Sequence, residues 1–252
     1  MEIPADTETI EWKRQQIVGY NNASRAYFHG RYAFFFVKRI FDIVISLLIV
    51  VFFLSWLVPL LSLLIRLESS GPVFFIQRRV GFLGRSFPCL KFRTMYVNAE
   101  ADTCQATEDD PRITRIGRLL RKSNLDELPQ FLNVLAGHMS IVGPRPHMHK
   151  DCMEFSRFVE GYKFRHLVKP GITGLAQIKG YRGPARSFDL IFRRYQWDAF
   201  YVRNAYFLLD LWVIHCTAMQ TLKYVSGKSV TLGAHAGAMV GQDWAEPRGA
   251  MN

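Results

Sequence analysis

Cysteine is sparse in this chain, and no two cysteines stand at ligand spacing. Cys89, Cys104, Cys152 and Cys216 are far apart and no CxxC occurs. That argues against a disulfide framework or a zinc knuckle and reads as reduced thiols. Repeats are also missing. There is no Gly-x-y period, no heptad pattern and no self-similarity at a spacing of about 20–50 residues, which excludes fibres and solenoids. Charged residues reach only 21%, whereas the chain carries 20 Phe, so the bulk of it is not disordered. Its 252 residues suffice for one domain with a real core, or a modest domain plus a membrane element. The two ends lack net charge. Residues 1–30 hold 3 basic and 4 acidic groups and residues 226–252 hold 2 of each, while residues 31–225 hold 27 basic against 15 acidic. A basic body with neutral ends suits an anionic partner: lipid head groups, phosphorylated substrates or nucleic acid.

One stretch lacks charge altogether. Ile43 to Ile65 reads IVISLLIVVFFLSWLVPLLSLLI. As a helix it is about 35 Å long, enough for a hydrocarbon core of roughly 30 Å. It begins too late and runs too long for a cleaved signal peptide, and no small-residue cleavage site follows. The protein is therefore expected at a membrane. Basic residues flank both sides: Arg31, Lys38 and Arg39 before, Arg66, Arg78, Arg79 and Arg85 after. Orientation normally follows a Lys/Arg excess on one side, so both flanks favour the cytoplasm. Pro59 removes a backbone donor within the segment, and Ser55 and Ser62 could satisfy groups that a break frees. Composition alone leaves two readings open: a kinked helix that spans, and a helix–break–helix that enters and returns.

Gly71-Pro72 ends the membrane segment, and Val73–Gln77 and Phe87–Arg93 read as a hairpin around Gly81 and Gly84. Tyr96–Ala106 reads as a short helix. Glu108-Asp109-Asp110-Pro111 is a turn whose acids suit capping. Next, Ile113, Ile116, Leu119 and Leu120 form an apolar stripe beside Arg112, Arg115, Arg118 and Arg121. That pattern fits an amphipathic helix on an anionic membrane as well as it fits an ordinary surface helix. A helix from about Asp126 to Ala136 ends at Gly137. Tyr206–Val225 forms a last apolar helix, too polar for a clear span, and a Gly/Ala-rich tail follows.

Asp126 and Glu127 are the most informative residues. Pro129 is tolerated only near a helix start, so the pair sits at or in a first turn, with Asn124 or Asp126 as N-cap. There the helix dipole favours carboxylates, and the same place binds phosphate through free N–H groups. An Asp so placed can be a nucleophile and an adjacent Glu can hold Mg2+. Ordinary capping explains the same residues. Cations nearby in sequence favour chemistry: Lys91, Arg93, the run from Arg112 to Lys122, and Arg145 could grip phosphoryl oxygens.

Three stretches carry a family resemblance: KFRTM (91–95), DPRITRIGRLLRKSNLDELPQFLNVLAGHMSIVGPRP (110–146) and KPGITGLAQIKG (169–180). Together they resemble the bacterial sugar transferases, monotopic polyprenyl-phosphate phosphoglycosyl transferases, over about Val37 to Val225. The resemblance implies an α/β, mainly helical fold with a re-entrant membrane hairpin broken at Pro59, amphipathic interface helices and a small β-hairpin. It divides the chain into an arm (1–36), a membrane anchor (37–67), a catalytic domain (68–225) and a tail (226–252). Asp126 would attack the sugar-bearing phosphate of a UDP-sugar and release UMP. Undecaprenyl phosphate would then take the sugar phosphate from Asp126. Glu127 would hold Mg2+, and Lys91, Arg93, Arg112 and Arg145 would face the substrate. The family sits on the cytoplasmic face of the bacterial inner membrane, among membrane lipids, and starts exopolysaccharide, capsule or O-antigen assembly. HMSIVGPRPH (138–147), GYKFRHLVKPGITG (161–174) and GYRG (180–183) resemble the branch that transfers glucose-1-phosphate; galactose-1-phosphate is the alternative. Leu175, Lys179 and Asn124 depart from that branch, and Val58 precedes Pro59 where members often carry Ser. Only about 36 residues precede the catalytic pattern, as in a short form, and a homo-oligomer is left open.

Other signals carry less. His147 and His149 form an HxH pair near His138 and His166, but no Cys or acid completes a zinc spacing. Tyr195, Trp197, Tyr201, Tyr206 and Trp212 suit an interfacial belt or core packing equally. A nucleic-acid binder would suit the basic charge, yet no helix-turn-helix, zinc or RNA-binding signature is present, so no nucleic-acid partner is expected. A silent membrane scaffold is the remaining rival, and the intact Asp126-Glu127 pair argues against it.

Overall fold

A computed structural model describes residues 27–97, 110–181, 183 and 187–226. The readings made for residues 1–26, for the helix at Tyr96–Ala106 beyond Val97, and for the tail after Ser226 lie outside these. The chain divides into two units, Met1–Phe41 and Asp42–Asn252. In the first, an aromatic cluster forms around Phe35, with Phe28 at 4.9 Å and Tyr27 at 5.9 Å between ring centroids. Arg31 lies over the Tyr27 ring.

Helix α1 (Tyr32–Ile49), a π-helical turn (Val50–Leu54) and helix α2 (Ser55–Glu68) run on as one helix long and apolar enough to cross a membrane. The expected break at Pro59 is absent: the proline lies inside α2 with helical backbone on both sides. The irregularity falls one turn earlier. The Ser55 N–H reaches back to the Val50 carbonyl, the longer bond of a π turn. Carbonyls loosened there find side-chain donors, Ser55 Oγ to Val51 at 2.6 Å and Trp56 Nε1 to Phe52 at 2.8 Å. Within the second unit, buried positions of this helix form one narrow stripe: Asp42, Ser46, Leu54, Leu57, Leu61 and Ile65. Leu57, Leu61 and Ile65 pack on Val73, Phe92 and Leu120, each contributing roughly 1.5–3 kcal/mol by leaving water. The remaining faces, with Leu47, Phe52, Trp56 and Leu63, are exposed apolar surface.

The expected hairpin is present. Strand β1 (Phe74–Val80) pairs antiparallel with β2 (Ser86–Phe92), and Gly84 takes positive φ in the turn. Helix α3 (Arg115–Lys122) follows. Its N-cap is Thr114, whose hydroxyl accepts from the Gly117 N–H at 2.8 Å. Glu68, at the end of α2, accepts from the Arg115 and Ile116 N–H groups. Asp110 therefore does not cap this helix and instead closes a short turn on the Arg112 N–H, while Glu108 and Asp109 lie outside the described residues. Gly117 is required where α3 crosses the chain after β2, because a Cβ there would meet the Thr94 carbonyl oxygen at 2.0 Å.

Helix α4 (Gln130–Leu135) leads to β3 (Ser140–Val142), which pairs in parallel with β4 (Gly171–Thr173). Between these strands lie α5 (His149–Phe158) and a 3-10 segment, Tyr162–Leu167. Short α6 (Leu175–Ile178), α7 (Phe188–Asn204) and α8 (Phe207–Val225) complete the fold. A second core joins Phe155, Val159, Tyr162 and Ile191. Two of the aromatics left open in sequence sit against Lys179, whose ammonium lies 4.8 Å from the Trp197 ring and 5.8 Å from Trp212. Tyr201 is core: its hydroxyl donates to Asp210 at 2.7 Å.

Candidate active site

The segment after α3 turns sharply at Asn124, a non-glycine residue with φ of 57°. A 3-10 turn, Leu125–Glu127, follows, and Pro129 precedes α4. The expected helix from Asp126 is thus two pieces: a tight turn that carries the acids, then α4. This turn aims Asp126 and Glu127 at β2 and at the loop after β3.

Glu127 is gripped by two cations. Its Oε1 accepts from Lys91 Nζ at 2.6 Å and from Arg145 Nη2 at 2.7 Å, and its Oε2 from Arg145 Nη1 at 3.2 Å. Burial favours the neutral acid here, but Arg145 and Lys91 outweigh it and hold the Glu127 carboxyl well below the usual range. Glu127 is therefore a fixed anion. Asp126 differs. It is buried, and no described residue donates a hydrogen bond to its carboxylate. Burial pushes its pKa up to about 6, with Lys91 pulling it down and Glu127 pushing it up. One acid is thus locked in a cationic grip, while its neighbour is uncommitted and anionic near neutral pH.

The other predicted basic residues take different places. Arg93 closes the end of α2, donating to the carbonyls of Ser70 at 2.7 Å and Ser69 at 2.6 Å. Arg112 is bound to Asp110, with a contact of 2.7 Å. Neither is brought to Glu127. The Arg112–Arg121 stripe dissolves, because a spacing of three drifts around a helix of about 3.6 residues per turn. Arg115 and Arg118 are exposed, whereas Arg121 turns inward and donates to Thr94 Oγ1 at 2.8 Å. Arg121 experiences the Asp126 charge more strongly than any other, so it borders the site and was not singled out by its sequence.

Lys91 is set by β2, and β2 by Asn133. The Asn133 amide accepts from the Leu90 N–H at 2.9 Å and donates to the Pro88 carbonyl at 2.7 Å, closing the strand edge beside Lys91. Arg145 is set by the loop after β3, where half-buried Arg79 and buried His147 and Arg165 gather. His147 is packed among these groups: Arg165 can only donate, so His147 Nδ1 accepts at 3.2 Å and its proton is on Nε2. Burial, then Arg165, keep this imidazole neutral.

A carboxylate to which no described residue donates, beside a second one saturated by Lys and Arg, is an arrangement able to receive an anionic, phosphate-bearing group. Comparison with known proteins agrees with this class. Residues 33–224 match the model of the family described as bacterial sugar transferase, and the chain belongs to that family. The chain is 42% identical over 184 residues to a UDP-glucose:undecaprenyl-phosphate glucose-1-phosphate transferase of Klebsiella pneumoniae, covering 73% of this chain and 39% of that protein. It is 41% identical to a UDP-N-acetylgalactosamine-undecaprenyl-phosphate N-acetylgalactosaminephosphotransferase of Aeromonas hydrophila, covering 72% and 43%. It is 42% identical to the exopolysaccharide production protein PSS of Rhizobium leguminosarum bv. phaseoli, covering 74% and 95%. The chain thus spans about two-fifths of the length of the first two relatives and nearly all of the third.

Proposed function

We propose that this protein transfers a hexose-1-phosphate from a UDP-sugar to undecaprenyl phosphate. The observation that carries the reading is the uncommitted Asp126 carboxylate beside a Glu127 fixed by Lys91 and Arg145. An Asp126 oxygen attacks the phosphorus that bears the sugar. The phosphoanhydride bond to UMP breaks, and UMP leaves with the electron pair. An oxygen of the lipid phosphate then attacks the same phosphorus and expels Asp126. One anhydride is broken and one is formed, so the sequence balances without an oxidant or reductant. Lys91, Arg145 and Arg121 lie where negative charge moves during both steps.

Mg2+ fits this site only as an ion that arrives with its substrate. Among the described residues no group of three or more His, Cys, Asp or Glu could hold a metal. Glu127 Oε1 already takes two cations, which leaves Oε2 and the Asp126 side chain as the protein's available oxygens. One or two carboxylates plus phosphate oxygens and water is the usual Mg2+ set. Bound there, the ion would neutralise diphosphate charge.

The long apolar helix is read as a re-entrant anchor that keeps the site on the cytoplasmic face of the inner membrane. Asp42, before the uncharged run, accepts from the Ile141 N–H of β3 at 3.1 Å. Glu68, after it, caps α3. A spanning helix would put these ends on opposite sides of the bilayer, yet both bond to the same catalytic unit. Exposed Arg115, Arg118 and Leu119 on α3 suit contact with anionic lipid.

For the sugar, glucose is favoured by the stretches between His138 and Gly183. N-acetylgalactosamine stands as the second reading, because a relative named for it is almost equally similar. Purified protein in undecaprenyl-phosphate liposomes should release UMP from UDP-glucose in the presence of Mg2+. UDP-galactose and UDP-N-acetylgalactosamine assayed alongside rank the sugars. No release from any of the three would favour a silent scaffold over an enzyme.

A further inference from the structure

The loop after β3 carries Arg145, and four consecutive carbonyls in it are each taken by a different donor. Gly171 N–H holds Pro144 at 3.0 Å, Arg165 Nη2 holds Arg145 at 2.7 Å, Arg79 Nη1 holds Pro146 at 2.7 Å, and Val80 N–H holds His147 at 3.0 Å. Two of the four donors are guanidiniums, the half-buried Arg79 and the fully buried Arg165. Burying a guanidinium to hold a loop carbonyl is costly unless its remaining protons are also satisfied. Arg165 meets that condition. Its Nε and Nη2 donate to Asp198 at 3.0 and 2.7 Å, its Nη1 meets His147 Nδ1, and its plane lies over the Tyr162 ring. The Arg165 and Asp198 side chains are 1% and 3% exposed. The pair joins the 3-10 segment before β4 to the middle of α7, so one salt bridge ties two separate stretches of chain to the residue that grips Glu127.

We infer that the buried Arg165–Asp198 pair is a positioning device for the active site: it fixes the Arg145 backbone so that the Arg145 guanidinium meets Glu127 edge-on. Arg165 touches neither carboxylate of the dyad and acts through Arg145 alone. This rests on the proposed reading of Asp126 and Glu127 and adds the means by which their cationic grip is held. Small displacements of a positioned group, on the order of 1 Å, can cost about 100-fold in rate.

The test is a double-mutant cycle on single-turnover UMP release and on steady-state kcat and KM, in proteoliposomes, with melting temperatures recorded throughout. Arg165→Lys keeps the charge beside Asp198 but cannot also reach the Arg145 carbonyl. It is expected to lower kcat by about 10- to 100-fold with little change in KM, as for an interaction used only in the transition state. In an Arg145→Lys background, followed over hours, the same change is expected to have almost no further effect, because the group it positions is gone. Equal fold losses in both backgrounds would overturn the inference and make Arg165 a general stability residue. So would a wild-type kcat in Arg165→Lys, or in Arg145→Lys. If Arg165→Lys fails to accumulate in membranes, Asp198→Asn carries the same cycle under the same criterion. Wild-type protein that releases no UMP would sink the proposed reaction itself, an outcome distinct from additivity in the cycle.

Discussion

Replacing Lys91 with Met removes the charge that most lowers the pKa of Asp126. It also removes the 2.6 Å contact to Glu127. Asp126 must be anionic to attack phosphorus, so activity should rise with pH through an acid limb near its pKa, about 6. Loss of a cation near a carboxylate raises that carboxylate's pKa, typically by about 1–3 units. The sign is therefore an alkaline shift of the acid limb. With a shift of one unit, the anionic fraction at pH 6 falls from about half to about one-tenth, a fivefold loss from titration alone. Well above both pKa values that component vanishes, and only the pH-independent cost of the missing Glu127 contact remains. Initial rates of UMP release, measured across the acid limb for wild type and Lys91→Met, should give a ratio largest at low pH that shrinks as pH rises. A ratio constant with pH, or coincident acid limbs, would refute the coupling of Lys91 to Asp126.

Gly117→Ala drives a methyl group into the Thr94 carbonyl, so α3 must lift from the chain after β2. A loss of about 1–3 kcal/mol is expected, read as a lowered melting temperature. Asn133→Asp keeps the acceptor for Leu90 N–H but sets a carboxylate oxygen against the Pro88 carbonyl. It should cost about 1–3 kcal/mol and slow turnover through the misplaced Lys91, as denaturation and kcat together would report. Single cysteines at Arg39 and Arg66, in a background without the native cysteines, should both label with an impermeant thiol reagent from the cytoplasmic side. Labelling from opposite sides would show that the helix crosses.

The parts of this fold that the sequence made legible are those set by local chemistry. Gly81 and Gly84 between alternating strands announce β1 and β2, and Gly71-Pro72 marks the end of the apolar helix. Asp126 and Glu127 stood out because Pro129 restricts what can precede it. Other features depend on contacts distant in sequence. β3 and β4 are three residues each and pair in parallel across about 30 residues, so neither has a turn signal. The π turn before Pro59 leaves no mark in an all-apolar run. Arg165 lay in plain view inside GYKFRHLVKPGITG, but a lone Arg reads as solvated until Asp198, in α7, is folded against it. Regular arginine spacing was misleading in the other direction. It suggested one cationic face, whereas Arg112 binds Asp110, Arg121 turns inward to Thr94, and only Arg115 and Arg118 face solvent. Arg93 matched the family pattern, and in the fold it serves the end of the long apolar helix.

The most direct test of the account is intact-protein and peptide mass spectrometry of the enzyme quenched in acid after exposure to a UDP-sugar without lipid acceptor. The account predicts a hexosyl-phosphate adduct on the peptide containing Asp126, discharged when undecaprenyl phosphate is added and missing from Asp126→Asn. Finding the adduct on another residue, or seeing wild-type turnover in Asp126→Asn, would contradict it.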